Sequence, residues 1–535
     1  MTLTASIAAP HPAAVAAARA AWAEGGNALD LAVAAATALA VVYPHQCSLG
    51  GDLVALVREP DGAVRAIVST GAAPQRVDVD ALRAAGERMP SAGPHPVTVP
   101  GVLAGWAAVL DHGAALPLAA HVRRAATLAR EGSPVSSGLA WAIGYRADGI
   151  AADPGLREVF APGGTPLTEG DPLLQPRLAE TLDAIADGGP AALYGGAIGA
   201  ALAAGLEQAG SAMRLDDLAA HDVELTEPLT ADALGATWHV APPPTQGATL
   251  LALLAQIDAD ARAAAAAAPA AAAPDAPATP APAPLSLDRA RAASAARDRL
   301  LGDPRVSQID LDGLRLASAA AAPAPAAFNG ARPHGDTVAV TAVDSDGRAV
   351  TLIQSVYQTF GAGLLEPTTG IVLHNRGSAF SLLPGHPGAL APGARPPHTL
   401  CPALVETADG TVVALGCQGG RAQPQVLAQL AADVTDPASD LPRAIARGRW
   451  VVGARDMDRA QETVLAEPGA AHAPESEAAD AGVAFERLDA FTGLAGHVQA
   501  ARLSPDGSQH AAAAPRADGA ALTLTTDDET EATPS

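Results

Sequence analysis

GDTVAVTAVDSDG, residues 335–347, followed by RAVTLIQSV, residues 348–356, decides how this chain is read. Apolar and small residues alternate on both sides of an Asp-Gly turn, which predicts two antiparallel strands joined as a hairpin. On the first strand Thr337, Ala339 and Thr341 share one face. Centring the turn on Ser345 and Asp346 places Gln354 or Ser355 opposite Thr337, depending on whether a bulge is present. Either register brings the Ser355 hydroxyl opposite or nearly opposite the Thr337 hydroxyl. In an arbitrary hairpin this is a cross-strand Thr–Ser contact and nothing more. The chemical alternative is a nucleophile. A threonine hydroxyl needs a base beside it, and the residue's own α-amine serves if the chain is cut between Asp336 and Thr337. A free α-amine titrates at about 7.7–8, whereas an internal amide has no basicity.

Amide hydrolysis also requires donors for the tetrahedral oxyanion. The segment VVALGCQGGRAQPQVLAQLAADV, residues 412–434, reads as a strand, the pair Gly419 and Gly420, and a helix beginning near Gln423. Backbone N–H groups at such a bend are placed to hold a negative oxygen. A glycine pair at a strand–helix junction is by itself commonly a steric turn, and it gains meaning only beside a candidate nucleophile.

Composition removes competing classes. The 535 residues are 49% hydrophobic but only 3% aromatic, so the core is expected to be built from Ala, Val and Leu. A formal net charge of −24 disfavours nucleic acid or an anionic membrane as partner. The basic residues are all Arg. That absence of Lys excludes a Walker A lysine, a Schiff-base lysine and Ser-x-x-Lys chemistry. Cys47, Cys401 and Cys417 are too few and too widely spaced for a disulfide framework or a CxxC motif. Neither His-Glu-x-x-His nor Gly-x-Ser-x-Gly occurs, and the scattered histidines lack metal-ligand spacing, so neither metal nor cofactor is expected. The amino terminus lacks a secretory pattern and the longest uncharged apolar run, 31–42, is too short to span a membrane. A cytoplasmic location is the expectation.

Along the chain, residues 27–42 read as a buried helix stopped by Pro44, and 47–74 as a hairpin after a glycine pair. Residues 97–206 are mainly helical in pattern, and 236–257 read as strand, tight loop and helix. The Ala/Pro stretch 261–284 reads as a flexible insertion. Helical pattern resumes at Asp288, and 319–334 is again rich in Ala, Pro and Gly. From 337 onward strands dominate, including GIVLHN and TVVALG. The acidic end, about 521–535, reads as a disordered tail. Helices first and strands later fit an α+β layered architecture.

Beyond these readings, many ordered blocks resemble one family. They include EGGNALDLAVAAATALAVVYPH, SLGGD, VTVPGVLAGWAAVL, ARDRLLGDP, GIVLHNRGSAFSL, RPPHTLCPALV and GCQGGRAQPQ, spread from about His11 to Ala520. The chain is similar to the γ-glutamyltranspeptidases, N-terminal nucleophile hydrolases that cleave themselves before a threonine. The resemblance implies a four-layer αββα sandwich and two subunits from one precursor, here 1–336 and 337–535. It implies Thr337 as nucleophile, Ser355 as the assisting hydroxyl, and Gly419 and Gly420 as oxyanion glycines. His398 and Thr399 occupy the positions of a substrate-contacting Ser pair. The departures are equally informative. The arginine that grips the substrate α-carboxylate in γ-glutamyl enzymes would fall near Thr70 and is absent. A substrate-binding Asn is replaced by Tyr357, and Ser378 and Ala379 stand where an Asp pair serves the substrate amine. The pattern is nearer the divergent amidohydrolase and acylase branch. A small amide carrying a carboxylate is the expected substrate, with Arg376 the first candidate to hold it and Arg421 the second. The alternatives are a true γ-glutamyltransferase or an uncleaved binding homologue.

Overall fold

Alternation along the strands sorts the apolar residues into three seams, and those seams define the layers. The computed structural model describes residues 3–267, 284–316, 335–453 and 459–526. An antiparallel seven-stranded sheet runs in the order Ala520–Thr525, Thr4–Ala9, Gly335–Asp344, Ala349–Gln358, Asp52–Arg58, Val64–Ser69, Glu224–Thr226. A second, six-stranded antiparallel sheet has the order Gln509–Ala513, Val498–Leu503, Val412–Cys417, Ala403–Thr407, Ala236–Val240, Leu229–Ala233.

Val338, Val340 and Ala342 point away from the second sheet and pack with Leu53 and Ala55 against the helices Ala28–Val42 and Val102–Leu110. Their neighbours Ala339 and Val343 point the other way, meeting Val54, Leu404 and Ala414 between the two sheets. Beyond the second sheet, Trp238, Val413 and Leu415 pack on the helices Gly247–Ala267, Leu287–Leu300 and Gln423–Thr435. The result is the expected αββα sandwich, with a core made largely of Ala, Val and Leu. All three cysteines are buried and unpaired. Among the described residues no helix is long and apolar enough to cross a membrane.

Two boundaries differ from the sequence reading. The tail placed at about 521–535 begins as the edge strand Ala520–Thr525, paired with Thr4–Ala9, and Thr523 Oγ1 meets Ser6 Oγ at 2.8 Å. Leu522 and Leu524 pack on the helix-side core, an alternation that the acidic composition following residue 526 obscures. The insertion placed at 261–284 starts as the end of the helix Gly247–Ala267. Residues 268–283, the 319–334 stretch and the chain beyond 526 lie outside the described residues. GIVLHN forms a strand only at Ile371–Val372, because His374 and Asn375 turn their N–H groups to Gly50 and Val356.

Candidate active site

The hairpin loop is one residue longer than the Asp-Gly reading assumed. It is centred on Asp346, with Gly347 at φ 92°, and Val343 pairs with Ala349. That register carries Ser355 opposite Thr337. The pairing then shifts: Val338 faces Gln354 and Asp336 faces Tyr357, so Ser355 and Val356 together oppose Thr337. This is a β-bulge at the far end of the pair, while the ambiguity left by the sequence is resolved by the longer loop. Tyr357, at φ 77°, takes up the backbone strain of leaving it.

The bulge turns the Ser355 hydroxyl into a bridge. Thr337 Oγ1 donates to Ser355 Oγ at 3.0 Å. Ser355 Oγ in turn donates to the Asp336 carbonyl oxygen at 2.7 Å and accepts from Tyr357 N–H at 2.8 Å. The hydroxyl beside the candidate nucleophile thus polarises the carbonyl immediately preceding that nucleophile. Thr337 is buried. Asp336 turns its carboxyl to the other side of the strand, where Thr359 Oγ1 donates to it. Burial pushes that carboxyl up to about 8, against the Thr359 hydrogen bond and the charge of Arg146.

One strand further across, Ser355 pairs with Asp52, so Thr337, Ser355 and Asp52 form a row on the face between the sheets. Asp52 accepts from Gly71 N–H at 3.0 Å and meets His398 Nε2 at 3.0 Å. His374 Nδ1 lies 3.3 Å from the same carboxylate without hydrogen-bond alignment, while its Nε2 is held by Thr98. Burial works against a charge on Asp52, but the two histidines outweigh it and hold the carboxyl well below the usual range. Burial, reinforced by the charge of Arg376, presses His398 down to about 4.

Arg376 lies in a short 3-10 turn, Arg376–Ala379, with its guanidinium carbon 3.8 Å from the centre of the Tyr357 ring. Nη1 donates to Thr399 Oγ1 at 3.1 Å, while Nε and Nη2 have no partner among the described residues. Burial lowers its pKa to about 10, opposed by Tyr357 and Asp52, so the group remains a cation at neutral pH. A buried guanidinium with open donors is costly unless an anion completes it.

The other candidates are committed elsewhere. His398 presents Nε2 to Asp52 and accepts from Leu400 N–H through Nδ1, leaving no ring nitrogen for substrate. Ser378 Oγ donates to the Asn375 carbonyl at 2.8 Å, and the Arg421 guanidinium is held by Asp298. His398, Thr399 and Arg421 line a space of only about 20 Å³. Of the two arginines considered, Arg376 is therefore the one whose surroundings call for an anion.

Gly419 and Gly420 close the strand Val412–Cys417 and precede the helix Gln423–Thr435, at φ 146° and 53°. The Thr337 strand packs against this turn. Ala422 N–H donates to the Gly419 carbonyl, and the N–H groups of Gly419 and Gly420 have no acceptor among the described residues. Gln246, not singled out in the sequence, locks the site. Its Nε2 donates to the carbonyls of Thr399 (2.6 Å) and Gly420 (2.9 Å), tying the Arg376 side to the glycine turn. Asp52, Thr359 and Asn375 were missed as well. Asp52 carries the clearest sequence signal, an acid directly after the glycine pair of SLGGD at the start of a buried strand.

The sequence and the fold have counterparts. The family model described as gamma-glutamyltranspeptidase matches residues 14–524. The oxamate amidohydrolase proenzyme of Klebsiella pneumoniae is 36% identical over 528 residues, covering 96% of this chain and 97% of that protein. The glutathione hydrolase-like YwrD proenzyme of Bacillus subtilis is 31% identical over 509 residues, 93% of this chain and 94% of that one. The crystal structure of cephalosporin acylase from Bacillus halodurans superposes with a TM-score of 0.82 at 28% identity, covering 97% of this chain and 96% of that chain.

Proposed function

The chain belongs to the γ-glutamyltranspeptidase family, and from that premise we propose that it is a proenzyme that cuts itself before Thr337 and then hydrolyses a small amide bearing a carboxylate. The observation that carries this reading is the Ser355 bridge between the Thr337 hydroxyl and the Asp336 carbonyl. Attack of Thr337 Oγ1 on that carbonyl converts the peptide bond to an ester and frees the Thr337 amine. Hydrolysis of the ester leaves Asp336 as a carboxyl terminus and Thr337 as an amino terminus. In the second reaction the α-amine takes the hydroxyl proton, Thr337 attacks the substrate carbonyl, and the amine delivers the proton to the leaving nitrogen. The N–H groups of Gly419 and Gly420 are the donors for the oxyanion. Water then releases the acid from Thr337.

The substrate's carboxylate is assigned to Arg376, because its open Nε and Nη2 suit a planar anion. The relative named for oxamate, itself an amide carrying a carboxylate, supports this class over a γ-glutamyl donor. Thr70, Ser378 and Ala379 in place of the usual glutamate-reading groups support it too. The test is a panel of oxamate, longer carboxylated primary amides and a γ-glutamyl anilide. We expect turnover of the carboxylated primary amides, falling about 100-fold or more in kcat/KM for Arg376→Met and recovering little in Arg376→Lys. Faster turnover of the γ-glutamyl anilide, indifferent to Arg376, would overturn the substrate assignment.

A further inference from the structure

Three loops meet at one end of the second sheet, and strand order is the reason. Ala403–Thr407 lies between Ala236–Val240 and Val412–Cys417, with Ala403 paired to Val240 on one side and to Leu415 on the other. The segments 241–246, 398–402 and 418–422 therefore emerge side by side. The second carries Thr399, whose hydroxyl accepts from Arg376, and the third is the glycine turn. Gln246 stands in the first and is fully buried.

The Gln246 amide can point only one way. Its Oε1 accepts from Arg297 Nη1 at 3.0 Å, which leaves Nε2 to donate to the carbonyls of Thr399 and Gly420. Turned over, the amide would set its oxygen against two carbonyl oxygens and its NH2 against a guanidinium. Arg297 is itself held. Its Nη1 also donates to the Arg421 carbonyl at 2.8 Å and its Nε to Asp298 at 3.0 Å, while Asp298 receives the Arg421 side chain as well. Burial works against a charge on Asp298, but the guanidiniums of Arg421 and Arg297 outweigh it and hold the carboxyl below its usual range. With the Ala422 N–H on the Gly419 carbonyl, the carbonyls of Gly419, Gly420 and Arg421 are all pinned. That fixes the peptide planes on both sides of Gly420. A second tie runs in parallel, from Cys401 N–H to Gln423 Oε1 at 2.9 Å.

We propose that Gln246 is a positioning residue that sets the length of acyl chain this enzyme hydrolyses. The link from the Arg376 guanidinium to the Gly420 carbonyl runs through Thr399 and the Gln246 amide, by hydrogen bonds of 3.1, 2.6 and 2.9 Å. The assignment rests on the reading above, with the substrate carboxylate at Arg376 and its carbonyl oxygen at the glycine turn. An acyl chain joining those points must match the separation that the strut holds. A chain of the wrong length reaches the guanidinium with its carbonyl out of line with the oxyanion donors, and it loses rate in the chemical step more than affinity.

The test compares oxamate with succinamate, which inserts an ethylene unit between the same carboxylate and carboxamide. Gln246→Met keeps the reach of the side chain and removes its hydrogen bonds to Thr399, Gly420 and Arg297. The processed wild type should favour one substrate by about tenfold or more in kcat/KM, and the variant should lose about tenfold in kcat on that substrate with little change in KM, drawing the two kcat/KM values together. Equal losses on both substrates, the mark of a merely structural glutamine, or a wild type that does not distinguish them would overturn the proposal. Deuterium uptake by the uncleaved Thr337→Ala chain, with and without Gln246→Met, reads the strut without any substrate. Faster exchange confined to 398–401 and 418–423 supports it, and no local change, or an even rise along the chain, overturns it. If the wild type turns over neither substrate, the carboxylated-amide reading has failed and acyl-length selection with it, and exchange alone decides whether Gln246 holds the turn.

Discussion

Ser355 hydrogen-bonds in three directions, to Thr337, the Asp336 carbonyl and the Tyr357 N–H. Its donation to the Asp336 carbonyl stabilises charge developing on the oxygen that Thr337 attacks. Ser355→Ala is therefore expected to slow self-cleavage about 100-fold or more, followed by gel time course, while Thr337→Ser continues to cleave. Asp336 gives a pH prediction. Its unfolded carboxyl titrates near 3.9, whereas in the folded chain burial raises it to about 8. Between these values the unfolded chain releases a proton that the folded chain keeps, so stability falls as pH rises from about 4 to 8. In a Thr337→Ala background, which keeps the chain intact, adding Asp336→Asn should leave Tm nearly unchanged at pH 4 and raise it progressively toward pH 8. A constant Tm difference across that range would contradict the buried, protonated carboxyl. Sequence alone offered Thr337 and Ser355 because strand periodicity places them. It could not offer Asp336's protonation or Arg376's open donors, which depend on what covers them.

The decisive elements are the bulged hairpin and the glycine turn. The hairpin was legible from alternation and Asp-Gly, but its register was not, since a single extra loop residue decides whether Gln354 or Ser355 faces Thr337. The strand–glycine–helix unit at 412–435 was equally legible. Gln246 was not, because its partners Thr399 and Gly420 are far away in sequence and meet it only through the second sheet. At Gly419 an added Cβ would find its nearest atom, Gln423 N, at 3.7 Å, so space is not the obstacle. The obstacle is φ 146°, which an alanine resists. Gly419→Ala is expected to rotate the oxyanion N–H and lower kcat by about 10²–10³ with a smaller effect on KM, measured on the processed enzyme. A loss confined to KM would argue that the turn binds substrate without stabilising the oxyanion.

At the scale of the molecule, the four layers were foreseen from the resemblance, and the order of helices and strands pointed only to an α+β layering. The three apolar seams show why so few aromatics suffice: small side chains let two sheets and two helical layers approach closely. The terminal strands were not read. Thr4–Ala9 is short and rich in Ala, and Ala520–Thr525 runs into an acidic end, so neither announces that it completes the sheet holding the nucleophile. That sheet joins residues from both sides of the Asp336–Thr337 bond, so the two halves are expected to stay associated after cleavage. Self-cleavage before Thr337 is read directly by intact-mass analysis of the purified chain with sequencing of new amino termini. The 53.0 kDa species should give way to two fragments whose masses sum to the chain plus one water. The smaller should begin Thr337-Val338-Ala339, and Thr337→Ala should remain whole. A wild-type chain that stays intact after long incubation, or a cut anywhere else, would contradict it.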